Sequence, residues 1–173
     1  MKKIAKYLDA ASVRFKASGS QEFMKEYALI PNISPIIDTL KQMKKHRIFI
    51  EIANTIIPQI GDDVEECRKL AELINSEFGS EIPFHLLQFY PTPKFAGLPI
   101  TPLALLERCA DVARAAGLRF VYISNVPKTH EQNTYCYNCR ELLIARENLV
   151  VKKINLVDGR CPNCGLAINL VLK

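Results

Sequence analysis

RIFIEIANTII, residues 47–57, alternates along its length: Ile48, Ile50 and Ile52 fall on one side of an extended chain, and Phe49, Glu51, Ala53 and Thr55 on the other. A period of two is the signature of a β-strand. A strand covered on both faces of a parallel sheet reads apolar throughout, and this one does not. One side of it therefore meets a core, while the other is a polar surface. Three more stretches read as strands: ASVRF (11–15), PFHLLQFY (83–90) and LRFVYISNV (118–126). In the first of them Val13 and Phe15 share the apolar side, with Ser12, Arg14 and Lys16 opposite.

Helical patterns separate these strands. SQEFMKEYAL leads into SPIIDTLKQMKKH, for which Ser34 is the expected N-cap and Pro35 the first helical position. Asp62 is read as the cap of a helix running to about Phe78 and closed by Gly79. Thr101 and Pro102 open a third long helix, which Gly117 ends. Strands alternating with helices of this length form a parallel sheet through same-handed crossovers. If each strand lies beside the previous one, all the helices share one face. The expected fold is thus α/β: a partial (β/α) barrel of about four parallel strands over residues 1–127. Its inner wall would carry Arg14, Lys16 and Glu51.

Residues 128–173 read differently. Cys136, Cys139, Cys161 and Cys164 form C-x2-C-x21-C-x2-C. Two residues between thiols let both sulfurs of a knuckle face one point, and two such knuckles supply four tetrahedral ligands, which suits zinc. The spacer LLIARENLVVKKINLV, broken at Glu-Asn, reads as a hairpin that brings the knuckles together. Gly159 and Gly165 stand where the turns need positive φ. With four protein ligands no position is left for substrate, so a structural zinc in a zinc-ribbon-like β module is expected. Rubredoxin-type iron and a pair of disulfides are the alternatives. Cys67 and Cys109 lie on apolar helical stripes and read as small core residues. His46 suits a helix C-terminus, His130 sits in a polar linker, and His85, inside a strand, reads as a satisfied core histidine.

Of the 173 residues, 49% are hydrophobic, enough for a substantial core, and the net charge is +5. That charge is uneven: residues 1–47 hold ten Lys/Arg against four Asp/Glu, residues 48–134 seven against eleven, and residues 135–173 six against three. Basic ends are either a solvated surface or a face for an anionic partner such as RNA. No apolar run suits a signal peptide or approaches the ~20 residues of a membrane span. A cytoplasmic protein with reduced thiols is the expectation, with no membrane partner.

DAASVRFKA (9–17), EIANTIIPQIGDD (51–63), IPFHLLQFYPTPKFAGLPITP (82–102), AGLRFVYISNVP (116–127) and NTYCYNCRELLIAR (133–146) follow one another in an order and spacing that resembles the C-terminal half of a known family. It is that of the radical SAM proteins akin to pyruvate formate-lyase activating enzyme, in the AmmeMemoRadiSam branch. The resemblance covers nearly the whole chain and implies a partial barrel with a C-terminal zinc-ribbon-like tail. Family members bind a [4Fe–4S] cluster through Cys-x3-Cys-x2-Cys in their N-terminal half, and its open iron position takes S-adenosylmethionine. This sequence contains no such triplet. It keeps the family's lysine as Lys16 but has Arg14 where an acidic residue is usual. Tyr90 stands where a cofactor-holding histidine is found, and a tyrosine carries no positive charge near pH 7. Pro58-Gln59 replaces a Pro-Gly turn.

Three functions follow as expectations. The first is a truncated radical SAM-like binding protein, non-catalytic alone, with Arg14, Lys16, Glu51 and Tyr90 as its lumen site. The second is the non-cluster subunit of a split radical SAM enzyme, with [4Fe–4S] and S-adenosylmethionine present only through a cluster-bearing partner. The third is a zinc-ribbon protein binding RNA or a ribonucleoprotein. Partners would be a protein supplying the missing barrel half, a second copy of the chain, or RNA.

Overall fold

The computed structural model describes residues 3–127, 129–147 and 150–170. Four strands, β1 (Ala10–Lys16), β2 (Phe49–Ile56), β3 (Phe84–Gln88) and β4 (Val121–Ser124), form one sheet in that order, each pair parallel. Helices α1 (Gln21–Glu26), α2 (Ser34–Lys45), α3 (Val64–Phe78) and α4 (Leu103–Ala115) lie between them in the chain. The helix-facing side of the sheet presents Phe15, Ile50, Ile52, Ile56, Phe84, Leu86, Val121 and Ile123 to Leu40 of α2, Leu70 and Ile74 of α3, and Leu106 of α4. Each such side chain contributes about 1.5–3 kcal/mol when fully buried, so this layer holds the sheet together. Cys67 and Cys109 belong to it, as their stripes require.

The opposite face changes character from one edge to the other. At β1, Ser12, Arg14 and Lys16 are exposed. At β4 all four residues are buried. The register sets Arg14, Ala53, His85 and Tyr122 in one row across the sheet. His85 therefore belongs to the inner wall. The expectation of a core histidine fails because β3 presents Phe84 and Leu86 to the helices and turns His85 the other way.

Cap positions also move. Asp63, not Asp62, caps α3, accepting from the Glu65 N–H at 2.7 Å, while Asp62 accepts from the Gln59 N–H in the preceding turn. Ser34 is the first residue of α2 and caps nothing; its N–H donates to Asn32 Oδ1 at 2.9 Å. Thr101 lies before α4 and is fully buried as a clamp: its hydroxyl donates to the Ile56 carbonyl at 2.7 Å and accepts from the Phe89 N–H at 2.9 Å.

After β1 the chain makes a left-handed turn, with Ala17, Ser18 and Gly19 at φ 50°, 55° and 70°. For residues with a Cβ this conformation costs about 1–2 kcal/mol each. A buried amide holds it in place. Asn54, fully buried in β2, accepts from the Ser18 N–H at 2.9 Å and donates to Ser18 Oγ at 3.0 Å. The turn is backed by Gly61, where a Cβ would stand 2.0 Å from that of Ala17. Above it a second apolar cluster of Ala17, Phe23, Met24, Ile57 and Phe89 closes the C-terminal ends of β1–β3.

The second sheet is antiparallel: β5 (Thr134–Tyr135), β6 (Leu142–Glu147) and β7 (Val150–Ile154), in that order. Asn148 of the expected hairpin break lies outside the described residues. This module is not a separate bead. Phe120 and Tyr122 form one buried cluster with Cys136, Leu143, Ile144, Cys161 and Ile168, so the boundary at 127/128 crosses a shared core. Among the described residues no helix is long and apolar enough to cross a membrane.

Replacing Asn54 by Ala leaves the Ser18 N–H without its partner and opens a small void. The expected cost is about 2–3 kcal/mol, read from a urea-unfolding midpoint. Gly97→Ala, where an added Cβ meets nothing within 4 Å, should stay within about 0.5 kcal/mol of wild type.

Candidate functional site

The four knuckle sulfurs converge: all lie within 4.8 Å of one another, with Cys136 and Cys164 3.6 Å apart and Cys139 and Cys161 3.5 Å apart. A tetrahedral ion with bonds near 2.3 Å places its sulfurs about 3.8 Å apart, so the cradle fits a metal such as zinc. The distances are far beyond a disulfide bond, and all six cysteines are free.

Both knuckles are built by the same hydrogen bonds. The Arg140 N–H donates to the Cys136 carbonyl and the Gly165 N–H to the Cys161 carbonyl, each at 2.9 Å. The Cys136 N–H donates to the Glu141 carbonyl at 2.8 Å, as the Cys161 N–H does to Leu166 at 2.9 Å. In each turn the residue after the second cysteine is left-handed, Arg140 at φ 63° and Gly165 at φ 72°. Gly159 is left-handed as well, at φ 72°. As metal-free thiols the ligands differ: a main-chain N–H of Leu166 draws Cys164 down to about 6, whereas burial lifts Cys161 to about 11. A cation levels that difference, because it binds both as thiolates.

The inner wall is the second candidate. His85 Nε2 is buried and has no hydrogen-bond partner; Glu51 Oε2 approaches it at 3.6 Å, too far for a hydrogen bond. The His85 ring stacks on Tyr122, centroids 5.0 Å apart. The Tyr122 hydroxyl and Thr134 Oγ1 are 3.0 Å apart, and Arg146 of β6 donates to Thr134 Oγ1 at 2.8 Å and to the Gln132 carbonyl at 2.9 Å. The Arg146 guanidinium also lies over the Tyr122 ring, 5.6 Å from its centre. Burial lowers the His85 pKa, Glu51 opposes that shift, and Arg146 reinforces it. Burial raises the Tyr122 pKa. At neutral pH the wall thus offers a neutral imidazole between a carboxylate and a guanidinium.

Of the residues expected there, Arg14 and Lys16 are exposed on β1, and Glu51 faces His85. Tyr90 lies beyond β3 at the rim, 45% exposed, with its hydroxyl donating to the Asn125 carbonyl at 3.1 Å. It joins two loops and is not grouped with Glu51. Sequence reasoning missed His85, Tyr122, Thr134 and Arg146. For His85 a signal existed, since strand parity places it on the polar side. For Thr134 and Arg146 none did, because only the fold-back of the second module brings them to β4.

A cavity of about 710 Å³ lies elsewhere, between α1 and the turn before α3. Its lining includes Glu22, Glu26, Asp62, Asp63 and Glu66 beside Phe23, Tyr27 and Ile60. Three of these already serve local structure: Asp62 holds its turn, Asp63 caps α3, and Glu66 pairs with Lys69 at 2.7 Å. The cysteines and the wall carry the recognisable chemistry.

No protein-family model matches the chain. It is similar to an uncharacterized protein of Methanocaldococcus jannaschii, with 36% identity over 167 residues, which is 95% of this chain and 49% of that protein. The chain thus spans about half the length of the curated relative it matches.

A depressed histidine pKa has a signed consequence. Unfolded, His85 binds a proton near pH 6.5, whereas folded it does so only at lower pH. Its neutral form therefore costs no stability above pH 6.5, and stability is lost as pH falls below it. His85→Gln should flatten the fall of unfolding free energy between about pH 7 and 5 relative to wild type, as followed by urea titrations. An identical slope for the two chains would show that His85 titrates normally.

Proposed function

We propose that this chain is the half-barrel binding subunit of a two-part protein, non-catalytic alone, whose inner wall becomes a ligand site when a complementary strand-bearing half closes against β1. The observation that carries this reading is the asymmetry of the wall. β4 is covered by the second module, while β1 leaves Ser12, Arg14 and Lys16 exposed beside an edge that pairs with no further strand among the described residues. An unpaired edge is a docking or aggregation liability that a natural partner removes. Closing a barrel requires strands that these residues do not supply. A relative of about twice the length supports the reading, because it has room for a second half.

The resemblance to radical SAM proteins supports a specific kind of partner. A cluster-bearing half would bring the [4Fe–4S] site and S-adenosylmethionine, making this chain the non-cluster subunit of a split enzyme. Arg14, Lys16 and Glu51, with His85 beside them, would then line the shared lumen. Four thiolate ligands favour a structural zinc, which holds the second module against β4 and takes no part in the reaction. Reduced thiols of this kind fit a cytoplasmic protein.

Two measurements test the proposal. Purified protein should hold about one zinc per chain, and Cys136→Ser or Cys161→Ser should loosen residues 133–170, detected as faster amide exchange there, because a structural site's binding energy is largely folding energy. Retention of stoichiometric metal after both Cys136 and Cys139 are replaced would count against the assignment. For the partner, this chain is co-expressed with the part of the Methanocaldococcus protein lying outside the match, as a separate polypeptide. A 1:1 complex on gel filtration, lost with Arg14→Glu/Lys16→Glu, is expected; two species that elute independently refute the half-barrel reading.

A further inference from the structure

A cleft of about 340 Å³ lies where the second module meets the outer edge of β4, and its lining reaches Tyr122 at the end of the inner wall. Its lining includes Arg114, Arg119 and Arg140 together with Phe120, Tyr135 and Tyr137. Glu131 is the one acidic residue among its lining, and it is tied to Arg114. Arg119 is paired with Glu81 at 3.0 Å and lies over the Tyr137 ring at 4.2 Å. Arg140 has no carboxylate partner among the described residues. Its guanidinium stands 5.9 Å from the centre of the Tyr135 ring. The cleft therefore sets the Tyr135 ring beside a cationic rim, at a sheet edge that pairs with no further strand among the described residues.

Arg140 is also in an unfavourable place. It occupies the left-handed position of the first knuckle, and the matching position of the second knuckle is Gly165. A glycine there would relieve the backbone, and it would make the same N–H···O=C bond. Metal binding asks nothing of the Arg140 side chain.

We infer that this cleft binds a nucleotide unit of single-stranded RNA, with a base against Tyr135 and a phosphate held by Arg140 and Arg119. Base–aromatic stacking and arginine–phosphate contacts are the two terms that hold single strands on proteins, and both are present within one cleft. The volume admits a base and its sugar but no folded partner. This inference is independent of the half-barrel reading, since its proposed contacts, Tyr135, Arg119 and Arg140, lie neither on β1 nor in the row that faces Glu51.

The test is fluorescence anisotropy of a labelled mixed-sequence RNA of about twelve nucleotides, titrated with the full chain at several salt concentrations. Wild type should bind, and Tyr135→Ala should weaken binding by about fivefold or more. Arg140→Gly should weaken it comparably and reduce the salt slope by about 0.7, while zinc content and unfolding midpoint stay at or above wild type. That variant copies the second knuckle, so loss of binding cannot be ascribed to misfolding. Nucleoside monophosphates, used as competitors, distinguish a free nucleotide from a strand. The inference is overturned if wild type fails to bind the RNA, if Arg140→Gly binds it as well as wild type, or if a monophosphate binds as tightly as the strand.

Discussion

Burial of β4 on both faces is the constraint on which the rest of the structure depends. Val121 and Ile123 face the helices, while Phe120 and Tyr122 form the floor of the cysteine module. A short strand at the end of a sheet would ordinarily leave one face and one edge in water. Here the second module covers the face, and the turn at residues 130–132 follows the strand closely, with Gln132 donating to the Val126 carbonyl at 3.3 Å. The two units cannot be understood as a domain and an appendage. They share one buried cluster, and among the described residues the far edge at β1 receives no such cover.

The parts of this arrangement written in local pattern were legible in the sequence. Period-two alternation in residues 47–57 assigned Ile50 and Ile52 to the core and Glu51 to the wall, because a strand sends successive side chains to opposite faces whatever surrounds it. The cysteine spacing located the metal cradle for a similar reason: knuckle geometry is set within a few residues. Cap assignments fared worse. Asp62 and Asp63 are adjacent, chemically identical candidates, and the choice between them rests on how the chain enters α3 from the β2 turn. Thr101 looked like a helix opener and is a clamp on the Ile56 carbonyl, a contact 45 residues away in sequence. Arg146 shows the limit most clearly. Nothing near it in sequence says that it ends over Tyr122, since that depends on how the module docks.

Arg146 also ties the four-cysteine cradle to the wall. It lies in β6, which follows the first knuckle, so its position depends on the module being held shut. From there it anchors Thr134 and through it the Tyr122 hydroxyl, and Tyr122 in turn supports the His85 ring. A neutral imidazole facing Glu51 at 3.6 Å is then a consequence of burial that the module itself supplies. If the cysteines hold a metal as proposed, its release would loosen the module, hydrate Tyr122 and His85, and return the imidazole toward its ordinary pKa. The same event would carry Tyr135 and Arg140 away from the edge of β4. A metal held by these four cysteines, with no open coordination position, would thus govern the charge state of one surface and the shape of another, through nothing more than the packing of four side chains.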